Sequence, residues 1–265
     1  MKAITIGFHD VLDIESIPPG AVYTVRLCDF DRHLRAIQER QTEVRTIHKF
    51  CQWGNDVPTF ITFDDGTSGA YTLGAKLLEA VDWRGHFFVA TDWIGRDGYM
   101  DRNQIRDLHM RGHVIGSHSC SHPERMSSLT KQELIREWKD SCAILADIVG
   151  SEIRTASVAG GYYSRKVAEA ASLAGLQVLF TSEPVSRTAL VDGCLVLGRY
   201  SIQSFTAPVD SGAIVAGSRC PRWKQLFLWN TKRVLKAIGG DSYVTFRRQL
   251  LSFSMSRETR ADSSK

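Results

Sequence analysis

No stretch of the 265-residue chain approaches the roughly 18 consecutive apolar residues that a membrane-spanning helix requires, so a transmembrane span is not expected. No apolar leader precedes the first regular segment: Met1-Lys2-Ala3-Ile4 runs straight into Thr5-Ile6-Gly7-Phe8-His9-Asp10, without a small-residue cleavage site. The six cysteines include no Cys-x-x-Cys pair and are scattered along the chain, which is the pattern of reduced thiols and not of a disulfide framework. Repeats of fixed period and low-complexity linkers are missing too. No histidine follows His122, which excludes an imidazole acid or base from the second half of the chain.

What is present is an ordinary globular composition, 43% apolar and 23% charged. The net charge of +4 hides an asymmetry. From Ser218 onward there are eleven Lys/Arg against three Asp/Glu, whereas the first 217 residues carry twenty-two against twenty-six. The expected organisation is therefore a domain over residues 1–217 and a basic, mostly helical appendage over 218–265 with a frayed end. Trp223, Phe227 and Trp229 lie among the basic residues of that appendage, a composition that suits a peripheral contact with an anionic membrane. The expected location is cytoplasmic or at the inner membrane face, and no nucleic-acid partner is expected.

Apolar runs and helical periodicities alternate. Thr5–Val11, Pro58–Phe63, Gly85–Thr91, His113–Gly116, Arg154–Val158, Leu176–Thr181 and Cys194–Leu197 read as strands. Asp31–Arg40, Gly69–Val81, Asn103–Arg111, Lys131–Val149, Ser164–Ala174 and Lys224–Ile238 read as helices, with a shorter one over Tyr243–Leu251. Repeated βα units of this length predict a parallel α/β sheet, open or closed into a barrel.

Two segments carry chemistry. Thr62-Phe63-Asp64-Asp65-Gly66 puts two adjacent carboxylates at the end of a buried strand, where they diverge, so that one can ligate a metal while the other faces a water as a base. His118-Ser119-Cys120-Ser121-His122-Pro123 spaces two imidazoles as on one helical turn, about 6 Å apart on the same side. A carboxylate from Asp64 or Asp65 would complete a His₂–carboxylate set with positions left for water and substrate. On such a turn Cys120 points away. His86, His109 and His113 are assigned to packing or surface, and Tyr162 and Tyr163 to stacking on a ring-shaped ligand or to core or rim packing.

Thr-Phe-Asp-Asp-Gly followed by His-Ser-x-x-His-Pro resembles the polysaccharide deacetylases, metal-dependent carbohydrate esterases that remove N-acetyl groups from sugar polymers. Gly85-His86-Phe87-Phe88-Val89 and Gly112-His113-Val114-Ile115-Gly116-Ser117-His118 resemble further segments of that family. The resemblance implies a deformed (β/α) barrel, an acetylated amino-sugar polymer or oligomer as substrate, and a divalent ion, zinc foremost with cobalt, nickel or iron as alternatives. It implies Asp64 as general base and Asp65, His118 and His122 as ligands.

The chain departs from the family at two places. Ser157-Val158-Ala159-Gly160-Gly161 replaces an Arg-x-Pro-Tyr-Gly segment, which leaves the backbone N–H of Gly160 for the oxyanion and only Arg154 or Arg165 as stand-ins for the arginine that orders the base. Leu195-Val196-Leu197-Gly198-Arg199 lacks the family's late histidine, so His9, expected to titrate near neutrality, is the candidate general acid. A deformylase or amidase acting on a lipid-linked sugar, and a catalytically impaired glycan-binding protein, are the competing readings.

Overall fold

The computed structural model describes residues 1–47, 57–227 and 229–231. Its frame begins with β1 (Ile4–Phe8), every residue of which is buried. The predicted Thr5–Val11 strand does not run through: the chain breaks at His9 and resumes as β2 (Asp10–Leu12), which pairs with β3 (Thr24–Arg26) in a separate two-stranded parallel sheet. α1 (Leu27–Gln38) follows. β4 (Thr59–Phe63) then runs parallel to β1 in register from Ile4 opposite Thr59 to Phe8 opposite Phe63.

The predicted helix at Gly69–Val81 forms as a π-helical turn over Ala70–Gly74 that leads into α2 (Ala75–Ala80). Backbone proximity explains the two glycines there. A Cβ on Gly69 would lie 2.2 Å from the Val11 carbonyl oxygen, and one on Gly74 would lie 2.9 Å from the Phe63 ring. β5 (His86–Val89), α3 (Arg102–Met110) and β6 (Val114–Ser117) come next. α4 (Lys131–Val149) has the bounds its sequence predicts, because Thr130 and Glu133 form a reciprocal capping box at its start and left-handed Gly150 ends it. Leu134, Trp138, Leu145 and Ile148 are buried along its inner face, with Ser141 buried among them and Cys142 only half-buried.

β7 (Thr155–Ser157), α5 (Arg165–Leu173), β8 (Val178–Phe180), β9 (Ala189–Val191), β10 (Cys194–Leu197), β11 (Tyr200–Ser201) and α6 (Pro208–Val215) complete the frame. The strand order is β11-β1-β4-β5-β6-β7-β8-β10-β9, parallel throughout except for β9 against β10. The sequence of hydrogen-bonded neighbours is open, yet β10 and β11 lie on opposite flanks of the series while only Gly198 and Arg199 separate them in the chain. Two residues span no more than about 10 Å. The sheet therefore curls until its two flanks meet, and a single bent segment pairs with β8 through Leu195–Leu197 and with β1 through Tyr200–Ser201. This is the deformed barrel expected from the sequence.

Large aromatic and aliphatic side chains fill one core, where Phe60, Phe88 and Phe180 meet Ile47, Val178, Leu195 and Leu197. His86 sits in the same place, accepting from the Ile47 N–H at 3.0 Å and donating through Nδ1 to the Ile61 carbonyl. His113 likewise accepts from the Gly85 N–H and donates to Glu79. Both are packing residues, as the sequence suggested. Cys28, Cys120, Cys142, Cys194 and Cys220 are free thiols, and among the described residues no helix is long and apolar enough to cross a membrane. Residues 219–227 and 229–231 are helical, and Arg222 anchors their start by donating to the Ile214 carbonyl and lying over the Tyr200 ring. The remainder of the helix predicted to reach Ile238, and the Tyr243–Leu251 helix, fall outside the described residues.

α6 is fastened to α1 by a buried hydrogen bond of 2.7 Å between His33 Nδ1 and Ser211 Oγ. Burial lowers the His33 pKa from 6.5 to about 4, against the opposing pull of Asp29. Between those two values the unfolded chain binds a proton that the folded chain does not. Stability is therefore complete above pH 6.5 and is lost as pH falls, by up to about 1.4 kcal/mol per pH unit. Urea unfolding measured between pH 7 and pH 4.5 should show this slope, and His33→Gln should flatten it.

Candidate active site

Parallel strands that end at one rim bring their C-terminal residues together. At the end of β4 the Asp64 N–H bonds to the Phe8 carbonyl, and then Asp65 and Gly66 both take positive φ, 72° and 82°. That left-handed step, tolerated by aspartate better than by most side chains, turns the two neighbouring carboxylates in different directions.

Asp64 points into the protein, where it is 3% exposed. Both of its oxygens are gripped by Arg199: Nη1 donates to Oδ1 at 2.6 Å and Nη2 to Oδ2 at 2.8 Å. Arg199, itself 2% exposed, also donates from Nε to the Thr181 carbonyl. Burial alone would raise the Asp64 pKa, but the Arg199 guanidinium, with His118 and His9, brings it down to about 2. Asp64 is thus an oriented, ionised carboxylate at neutral pH. Its Oδ2 faces the site, 3.9 Å from His118 Nε2 and 4.0 Å from His9 Nε2.

Asp65 points toward the histidine pair. Its Oδ1 lies 3.3 Å from His118 Nε2 and 3.5 Å from His122 Nε2, and one donor atom from each of the three residues falls within 4.8 Å of the others. Two ligands at tetrahedral zinc distances sit about 3.4 Å apart, so the spacing fits a shared ion. The protonation pattern fits too. His118 Nδ1 donates to the Ser157 carbonyl at 3.0 Å, which frees Nε2 for the site. Burial lowers the His118 pKa, yet Asp64 and Asp65 outweigh it and the net shift is upward, the mark of a position that favours positive charge.

The histidine pair does not lie on a helical turn. Residues 118–123 are irregular, with Ser119 and His122 at φ of 66° and 53°, and the two rings approach to 5.0 Å. The convergence expected from i, i+4 spacing is reached by a loop instead.

His9 occupies the break between β1 and β2 and stacks on Tyr23 at 4.4 Å. Its Nδ1 is buried without a hydrogen-bond partner, and burial lowers its pKa from the ordinary imidazole value despite the opposing pull of the Asp65 and Asp64 carboxylates. Gly160, at φ 65°, abuts the chain just after His122: a Cβ there would lie 2.4 Å from the Glu124 carbonyl oxygen and 3.1 Å from that of Pro123. Neither Arg154 nor Arg165 serves Asp64, because they pair with Glu152 and Glu169 on the surface. Arg199 does, from a different strand. The signal was present: Arg199 follows the apolar run Cys194–Leu197 just as Asp64 follows Thr59–Phe63. Trp93 lies 4.6 Å from the His122 ring and Tyr162 lies under Arg125, which gives the rim aromatic faces.

Residues 54–179 match the family model described as polysaccharide deacetylase. The Bacillus subtilis (strain 168) protein YxkH is 27% identical over 180 residues, 66% of this chain, and the chain spans 64% of YxkH's own length. Two solved structures share the fold. The deacetylase PplD of Streptococcus pyogenes, determined with acetate, superposes with a TM-score of 0.66 at 17% identity, over 78% of this chain and 95% of that one. BC0361, a polysaccharide deacetylase from Bacillus cereus, gives 0.68 at 20% identity, over 81% and 69%. Asp64-Asp65 and His118–His122, the residues that carry the resemblance, fall inside the matched stretch.

Removing one member of a buried, hydrogen-bonded ion pair strands the other, at a cost of about 3–5 kcal/mol. Arg199→Ala should therefore lower the unfolding free energy by that amount in urea titrations. Arg199→Lys, which keeps the charge and loses the two-pronged geometry, should fall between Arg199→Ala and wild type.

Proposed function

We propose that the protein hydrolyses the N-acetyl group of amino-sugar residues in a polysaccharide or oligosaccharide, with a divalent ion, zinc foremost, held by Asp65, His118 and His122. The observation that carries this reading is the division of labour between two adjacent carboxylates: Asp64 is clamped and ionised by Arg199, while Asp65 is turned to the imidazoles. A site built only to hold metal would have no need of the first.

When bound, the ion would supply Lewis acidity to the attacking water and to the acyl oxygen. Asp64 Oδ2, the carboxylate oxygen that faces the site, accepts the water's proton as the carbon–oxygen bond forms. Arg199 fixes that oxygen's direction, so Asp64 does not swing over to the ligand set. The His9 ring, with Nε2 4.0 Å from Oδ2, takes up this proton and delivers it to the leaving nitrogen as the carbon–nitrogen bond breaks. The Gly160 N–H, beside the chain that leaves His122, is assigned to the developing oxyanion. A carboxylic acid and a free amine are the products.

The same machinery would cleave a formyl group, so the assay that tests this reading follows acetate and formate release together from acylated amino-sugar oligomers, with and without chelator. Acetate release that stops on chelation and returns with Zn2+ is the expected result. His118→Ala should lose the metal, whereas Asp64→Asn should keep close to one equivalent and lose at least about 100-fold in turnover. Equal metal content in wild type and His118→Ala, or wild-type turnover by Asp64→Asn, would overturn the assignment. Wild-type binding of oligosaccharide with no release of either acid would favour the glycan-binding reading.

A further inference from the structure

The loop that carries His118 and His122 holds two non-glycine residues at positive φ, Ser119 and His122, and so needs outside support to keep its shape. α4 gives that support from one face. Glu137 Oε2 accepts from the Cys120 N–H at 2.8 Å and the Ser121 N–H at 3.0 Å, and its Oε1 accepts from the Ser121 hydroxyl at 2.7 Å. One turn further along the helix, Ser141 accepts from Ser117 Oγ at 2.7 Å. Ser117 Oγ in turn accepts from the Ser119 N–H, and Ser119 Oγ from the His122 N–H.

All three Glu137 contacts fall on residues 120 and 121, the two between the left-handed positions. The rotation of α4 is fixed independently by buried Leu134 and Trp138, its start by the Thr130–Glu133 capping box. The carboxylate is thus a fixed anchor and not a roaming surface charge.

We propose that Glu137 is a positioning residue for the metal ligands, acting through the backbone of Cys120 and Ser121 to hold His122 Nε2 next to Asp65. This rests on the metal reading above. Glu137 touches no reacting atom. It removes from the loop the freedom to relax its left-handed residues, which would carry His122 away from Asp65 and His118.

Titration of the metal-free protein with Zn2+, by competition against a chelating dye, tests the role. Glu137→Ala should weaken binding 10- to 100-fold, the usual cost of losing a partner that orients a ligand. Glu137→Gln keeps one oxygen for both N–H groups and should recover most of the affinity. Hydrogen exchange of the metal-free protein adds an independent readout: the Cys120 and Ser121 amides should exchange faster in Glu137→Ala and at close to the wild-type rate in Glu137→Gln. Wild-type affinity in Glu137→Ala would overturn the role of Glu137 alone, as would Glu137→Gln binding no better than Glu137→Ala. Wild type that binds Zn2+ no better than His118→Ala would overturn the metal reading itself, and this role with it.

Discussion

The buried pairing of Arg199 with Asp64 ties the fold to the chemistry. Five strand-to-strand steps separate β10 from β4 along the sheet, about 24 Å if it were flat. A guanidinium 2.6 Å from a carboxylate across that span requires the sheet to curl. The bend that follows β10 brings the curl to closure by passing the chain directly to β11 against β1. Gly198 allows the bend, since a Cβ there would meet the Glu183 carbonyl oxygen at 2.4 Å. Closing the barrel and orienting Asp64 are therefore one structural event, and a change that loosens either loosens both.

This arrangement sets an arginine and an imidazole beside Asp64 even though the chain departs at two places from the motifs it resembles. The arginine missing beside Gly160 is supplied from the strand end that also lacks a late histidine. An imidazole also faces that carboxylate, from His9 at the break that follows β1. Both substitutes reach Asp64 because the rim of a curled parallel sheet gathers residues far apart in sequence. Asp64, Arg199 and His9 come from three separate strand ends, and Asp65, His118 and His122 from two.

The frame was legible where one periodicity dominated. Lys131–Val149 and Cys194–Leu197 were read to the residue, because a capping box bounds the helix and glycines flank the strand. The pair of carboxylates and the pair of imidazoles were legible as chemistry, since such residues at strand ends have few other uses. The π-helical turn is hidden because the close approach of Gly69 to Val11 beside it is a tertiary contact. Short strands such as Tyr200–Ser201 carry too few residues to show alternation. Arg199 escapes the sequence because the resemblance implies a histidine at that strand end, and Glu137 because an acidic residue on a long helix looks like solvated surface until the loop it holds is in view. The left-handed residues of the ligand loop have no pattern in sequence at all.

A zinc-soaked crystal measured at the metal absorption edge distinguishes the parts played by Asp64 and Asp65. One anomalous peak is expected within about 2.0–2.2 Å of Asp65 Oδ1, His118 Nε2 and His122 Nε2, with both Asp64 oxygens still held by Arg199. A peak ligated by Asp64, with the Arg199 grip broken, would contradict it.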